Sequence, residues 1–313
     1  MSSQLTIVKY SYVRDVARSR FPGIRARGLE EFDAQLDHIS STYEVVSAEE
    51  VMDAAAGEAE LPPRSCWLVF ENGYSDHYRH VVPRLVERGW KGSFYVPAKV
   101  VVEGEILDVN KVHFVLACTD DVGGVVSQIK DFCQQQRSAG VDLPPFEWYW
   151  QRYAHANRWD PAEVIFVKRM LQKGLPEATR SACADLLFSE YVTDEPDAFA
   201  AELYLDAEQL RLMLQLGMHL GSHGYGHYWL DSLDREEQAA DIDASLKFLG
   251  ELGVDTRRWT MCYPQGAYND DTLDLLHRRG CAVAFTNAPG PATLPGSPSL
   301  ELPTLDTNDL PTS

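Results

Sequence analysis

A chain of 313 residues with 45% hydrophobic side chains can bury the core of one large α/β domain or two smaller ones, which excludes a disordered or fibrous chain. Its formal net charge of −19, from 47 acidic against 28 basic side chains, opposes binding to phosphate backbones and anionic membrane surfaces, so nucleic acid is not an expected partner. No apolar run approaches the roughly 18 residues of a membrane span, and MSSQLTIVKYSYVRD lacks the basic, apolar and small-residue pattern of a secretory leader, so the expected location is cytoplasmic. The cysteines, Cys66, Cys118, Cys133, Cys183, Cys262 and Cys281, have no CxxC spacing and read as reduced core residues.

Leu5 to Tyr10 (LTIVKY) is a β-rich run, followed by an arginine-rich loop and then EEFDAQLDHI, where Phe32, Leu36 and Ile39 recur at helical spacing. Cys66 to Phe70 (CWLVF) is a continuous apolar run suited to a buried parallel strand, with a helix from about Tyr78 to Glu87 stopped by Gly89 and GSFYVP as the next strand. Over residues 98–204 the pattern turns helical, as in Val122, Val125, Ile129 and Phe132 and in PAEVIFVKRML, and predicts a helical insertion within a single domain spanning 1–313. MHLGSH, WTMCYP and AVAFTN then read as strands, separated by a helix carrying Ala239, Ile242, Leu246 and Leu249 and another near Thr272 to Arg279. The tail from Pro289 is rich in Pro, Ser and Thr.

Strands alternating with helices imply a parallel sheet, open or closed into a barrel, with reactive groups at the carboxyl ends of the strands. FENG, SHGYGH and YPQGAYN each follow a predicted strand, so three distant segments converge on one rim. His223 and His227 bracket GYG, and two imidazoles four positions apart can face one ion. Tyr74 and Tyr78 suit either substrate contact or packing at the rim, and Tyr268 and Asn269 suit either contact or the shaping of a turn. Trp148, Tyr149 and Trp150 suit core packing more than a sugar platform, and His77, His80 and His219 read as core or surface residues.

LVFENGYSDHY, GSHGYGHYWL and MCYPQGAYND resemble successive motifs of the polysaccharide deacetylase (NodB-like, carbohydrate esterase family 4) superfamily. YSYVR resembles the family's tyrosine-histidine start with Ser11 in place of histidine, and the insertion resembles a longer cytoplasmic branch acting in surface-sugar biosynthesis. The resemblance implies a distorted (β/α) barrel and a divalent metal such as zinc. It also implies hydrolysis of the N-acyl group, acetyl or formyl, of an amino sugar in surface-glycan or lipopolysaccharide assembly. By that resemblance Glu71 takes the general-base position, Asn72 the carboxylate-ligand position, His223 and His227 the two histidine ligands, and the Tyr263 backbone the oxyanion donor. Tyr74 and Tyr268 are the substrate-contact candidates. Glu71 keeps a base on a longer arm, whereas Asn72 offers a neutral oxygen, a weaker ligand for a dication. Glu71 as ligand with Asp76 as base, a metal-free site, and a degenerate carbohydrate-binding barrel all stay open. The family's arginine that steadies the base is not evident between Thr260 and Pro264, with Arg258 nearest, and Thr304 stands where relatives often place another.

Overall fold

The computed structural model describes residues 3–312. Among the described residues nine strands form, β1 (Ser3–Tyr10), β2 (Glu44–Val45), β3 (Ser65–Glu71), β4 (Ser93–Val96), β5 (His219–Ser222), β6 (Trp259–Cys262), β7 (Cys281–Pro289), β8 (Ala292–Leu294) and β9 (Leu302–Asp306). Seven of them close a parallel ring in the order β1, β3, β4, β5, β6, β7, β9 and back to β1, while β2 pairs with β3 and β8 runs antiparallel to β1. The structure is therefore a (β/α) barrel, the closed form of the parallel sheet that the alternation left open or closed, as the family resemblance implies. β2, β8 and β9 were not among the strands expected, and β9, which closes the ring, lies in the Pro-, Ser- and Thr-rich tail.

Strand periodicity explains how the ring is filled. Residues two apart on a strand face the same side. Leu5 and Ile7 of β1, Trp67 and Val69 of β3, Val283 and Phe285 of β7, and Tyr95, Cys262 and Leu302 share one buried apolar cluster. The opposite faces pack on helices, with Tyr10 and Phe70 against Phe32 of the helix Leu29–Thr42 at ring separations of 5.1 and 6.3 Å. Inside, Trp67 Nε1 donates to Ser93 Oγ (2.7 Å), and the Tyr95 hydroxyl meets Thr260 Oγ1 (2.9 Å). Gly221 allows that closeness, since a Cβ there would stand 2.3 Å from the Tyr95 ring.

The chain divides into two compact units, one comprising the chain up to Asp15, Ala26–Glu105 and the chain from Ala200, the other Val16–Arg25 and Ile106–Phe199. The first holds the barrel. The second is helical, with Phe114, Phe199 and Phe21 packed edge to face within it. In that unit Tyr149 is buried and Trp150 packs on Phe166, whereas Trp148 is 46% exposed. Five cysteines are buried and Cys118 is exposed. Among the described residues no helix is long and apolar enough to cross a membrane.

Candidate functional site

β3 ends at Glu71, and the chain turns away through Asn72 (φ 76°) and Gly73 (φ 66°). Asparagine tolerates this left-handed geometry better than other side-chain-bearing residues. Gly73 is required, because a Cβ there would lie 2.7 Å from Val96 Cγ1. The turn leaves the Glu71 side chain only 19% exposed, accepting from Lys9 Nζ at 3.1 Å. Cys262 Sγ lies 3.8 Å from the same carboxylate oxygen. Burial opposes ionisation of Glu71, but the Lys9 ammonium and then His223 outweigh it and hold the carboxyl down to about 2. Lys9 is raised in turn, because Glu71 more than offsets the cost of burial. Glu71 is thus an anion at neutral pH. Asn72 is buried, its Nδ2 donating a long bond to Ser11 Oγ (3.4 Å), while its Oδ1 is buried with no partner.

The SHGYGH segment leaves the end of β5 as a loop built on hydrogen bonds. Ser222 Oγ accepts from the Gly224 N–H (3.1 Å) and pairs with Ser245 Oγ (2.8 Å). The buried Asp241 carboxylate, on the helix Arg235–Leu252, accepts from the Tyr225 and Gly226 N–H groups at 3.0 and 2.8 Å. Gly224 (φ 72°) permits that approach, since a Cβ there would stand 2.7 Å from Asp241 Oδ2. His223 is buried, with Nδ1 2.7 Å from the Cys262 carbonyl. A carbonyl only accepts, so Nδ1 carries the hydrogen and Nε2 presents its lone pair, buried and without a partner. Burial lowers His223 to about 4, with Glu71 resisting, and the ring is neutral at pH 7. The His227 ring centroid lies 4.8 Å from that of His223.

Glu71, His223 and Cys262 bring their ligand atoms within 4.8 Å of one another. Two buried acceptors without donors, His223 Nε2 and Asn72 Oδ1, suit a cation, and an imidazole whose other nitrogen is fixed by a carbonyl is the usual form of a metal-binding histidine. Glu71, His223 and Cys262 thus suit a divalent ion, and His227 is not in the group whose ligand atoms lie within 4.8 Å of one another.

The remaining sequence candidates have defined places. Tyr263 is buried, its hydroxyl donating to the Leu300 carbonyl (2.9 Å) and its ring stacked on Tyr268 at 4.7 Å. Tyr268 donates to Glu301 Oε1 (2.8 Å), and Asn269 caps the helix Asp270–Arg278 through the Thr272 N–H. Tyr74 is fully buried against Tyr12 (4.1 Å) and Tyr204 (6.3 Å), so its side chain packs the wall and offers no face to a substrate. Asp76 is held by Arg14 Nε at 2.7 Å, an ion pair that competes with a role as base. Arg258 precedes β6, at the amino end of the barrel, and pairs with Asp53 (2.7 Å). Thr304 donates to the Thr286 carbonyl (2.8 Å). The cation beside Glu71 comes from β1, as Lys9. Sequence reading missed Lys9, Cys262, Asp241 and Asn287, although strand alternation held a signal for two of them, Lys9 and Asn287.

The family model for polysaccharide deacetylase matches residues 187–284, a stretch that contains His223, His227 and Tyr263 and begins after Glu71 and Asn72. The protein named "Putative polysaccharide deacetylase YxkH" of Bacillus subtilis (strain 168) is 29% identical over 90 residues, which span 29% of this chain and only 32% of YxkH. Among solved structures, the Streptococcus pyogenes deacetylase PplD in complex with acetate superposes with a TM-score of 0.58 at 16% identity, over 98% of this chain and 93% of PplD. IcaB from Ammonifex degensii gives 0.56 at 18% identity, over 97% and 93% of the two chains. The BpsB deacetylase domain from Bordetella bronchiseptica gives 0.55 at 17%, over 97% and 95%. At these identities the structural likeness is one of fold. The resemblance to the polysaccharide deacetylase superfamily holds, carried by the matched segment and the barrel together.

Proposed function

We propose that this chain, with the fold and a matched segment of the polysaccharide deacetylases, catalyses metal-assisted hydrolysis of the N-acyl amide, acetyl or formyl, of an amino sugar in surface-glycan or lipopolysaccharide assembly. The observation that carries the reading is the pair of buried, unpartnered acceptors His223 Nε2 and Asn72 Oδ1, at the same strand ends as an ionised Glu71. The substrate class follows from the family whose segment the chain matches.

His223, His227 and Asn72 would hold the ion, zinc being suited to imidazole ligands, and it would supply Lewis acidity towards the scissile carbonyl. Glu71, kept anionic by Lys9, accepts the proton of the attacking water and returns it to the leaving amine. The hydrogen bond from His223 Nδ1 to the Cys262 carbonyl fixes the ring and its tautomer. The backbone amide of Tyr263, at the end of β6, is assigned to the developing oxyanion.

The test is release of acetate or formate from a panel of N-acylated amino sugars. Glu71→Gln is expected to lower kcat by about 10²–10⁴-fold, the usual contribution of a general base, and His223→Ala to abolish turnover, both with unchanged circular dichroism. Wild-type turnover in either variant would overturn the reading.

One observation favours a second reading. Asn72 is uncharged and Lys9 cancels the charge of Glu71, so a dication would meet little net negative charge, and a degenerate barrel that binds carbohydrate without cleaving it accounts for that. Sugar binding with no acyl release and no zinc uptake would select this alternative.

A further inference from the structure

Glu71 is held by a series of contacts that begins on two other strands. Lys9, near the end of β1, donates to Glu71 Oε2 (3.1 Å) and to Asn287 Oδ1 (2.6 Å). Asn287, in β7, donates from Nδ2 to the Gln265 carbonyl at 2.9 Å, in the Pro264–Gly266 turn that follows Tyr263. That turn is left-handed at Gln265 (φ 57°) and Gly266 (φ 72°). A Cβ on Gly266 would stand 2.7 Å from Asn287 Nδ2, so the glycine is what admits the amide.

The chemistry of each member is specific. An amide alone among uncharged side chains of this length can accept from Lys9 and donate to a carbonyl at once, whereas aspartate has no donor and leucine has neither group. The ammonium bonds two acceptors from different strands and neutralises a largely buried carboxylate that would otherwise be costly to keep charged. The geometry also has a source in the strands. Leu5 and Ile7, Trp67 and Val69, and Val283 and Phe285 form interior rows at a period of two, and Lys9, Glu71 and Asn287 are the next members of those three rows. Lys9 and Glu71 therefore end the barrel's interior packing on the paired strands β1 and β3, and the exposed Asn287 reaches Lys9 from the rim, where the pairing of β7 with β9 shifts register.

We propose that Lys9 and Asn287 are positioning residues that fix the Glu71 carboxylate and couple it to the turn carrying Tyr263, a role that rests on Glu71 being the base of the proposed hydrolysis. Lys9→Met keeps the length and removes the charge, Lys9→Arg keeps the charge, and Asn287→Ala breaks the link to the turn. In acyl-release assays Lys9→Met is expected to lose about 10–100-fold in kcat, the range for a base misplaced by about 1 Å, with KM nearly unchanged, and Lys9→Arg to recover most of it. Asn287→Ala is expected to fall about 10-fold in kcat on the same argument. Crystal structures of wild type and Lys9→Met provide a readout independent of turnover, in which the carboxylate is expected to leave its place by about 1 Å or more. Wild-type kcat in Lys9→Met, no recovery in Lys9→Arg, or an unmoved carboxylate would each overturn the proposal. If wild type releases no acyl group from any substrate, the hydrolase reading fails on its own, and the crystal structures then decide whether the clamp exists.

Discussion

Asn72 shows how much a single atom can decide. Its Oδ1 is buried without a partner, so the site carries an unmet acceptor where an aspartate would bring a full charge. Replacing it with aspartate adds an anion next to Glu71, whose own charge already takes up that of Lys9. In metal-free protein that charge is costly, and with a dication present it becomes a stronger ligand. Asn72→Asp is therefore expected to tighten zinc binding at least about 10-fold in calorimetric titration of chelator-stripped protein, and to lower the melting temperature when no metal is added. Equal affinity in the two proteins would show that Oδ1 does not face the ion. The candidates Glu71, His223, His227 and Tyr263 came from contiguous motifs, and of these the structure brings the ligand atoms of Glu71 and His223 within 4.8 Å. Lys9, Cys262 and Asn287 were not legible in this way, because they come from separate strands and matter only once the ring closes. The alternation in LTIVK, CWLVFE and VAFTN did contain the hint, a polar residue ending each inward row.

At the scale of elements, the loop between β5 and the helix Arg235–Leu252 is set by the helix that follows it. Asp241 projects back to collect two loop N–H groups, and burial raises its pKa against the pull of those amides. Asn in its place offers a single oxygen and turns an N–H donor towards the loop N–H groups, so at least one buried bond is lost. Asp241→Asn is expected to destabilise the fold by about 1–3 kcal/mol in urea unfolding. It is also expected to weaken zinc binding by about 10–100-fold, the scale of a lost outer support. Unchanged affinity in a destabilised protein would mean that the loop holds the histidines without Asp241. The helix itself was readable from Ala239, Ile242, Leu246 and Leu249, but a buried aspartate on its inner face breaks the apolar pattern and carries no motif. Likewise β2 has two residues and β9 includes Pro303, so neither gives the sustained alternation or apolar run on which strand prediction depends.

Over the whole molecule, folding takes three imidazoles largely out of water. His77 is fully buried with Nε2 2.8 Å from the Ser11 carbonyl, the half-buried His219 Nε2 meets Thr260 Oγ1 at 2.8 Å, and His223 is buried at the site. Burial lowers all three to about 4, although neighbouring acids pull the other way. The unfolded chain protonates these rings near the ordinary value of about 6.5, so below that pH it binds protons that the folded chain refuses. Stability is thus fully present above pH 6.5 and is lost as pH falls towards 4, with a slope of up to about 1.4 kcal/mol per histidine per pH unit. Three such groups give up to about 4 kcal/mol per unit, a large share of the 5–15 kcal/mol that typically holds a domain together. The Glu71 contribution has the same sign, but it is lost only as pH falls from the ordinary carboxylate range towards about 2. Urea unfolding at pH 7.5, 6.0 and 5.0, with chelator present to remove metal linkage, is expected to show the steep fall above the carboxylate range. His77→Gln, which keeps a donor for the Ser11 carbonyl, is expected to reduce the slope by about a third. A flat profile between pH 7.5 and 5.0 would mean that the barrel admits protons to these rings while folded.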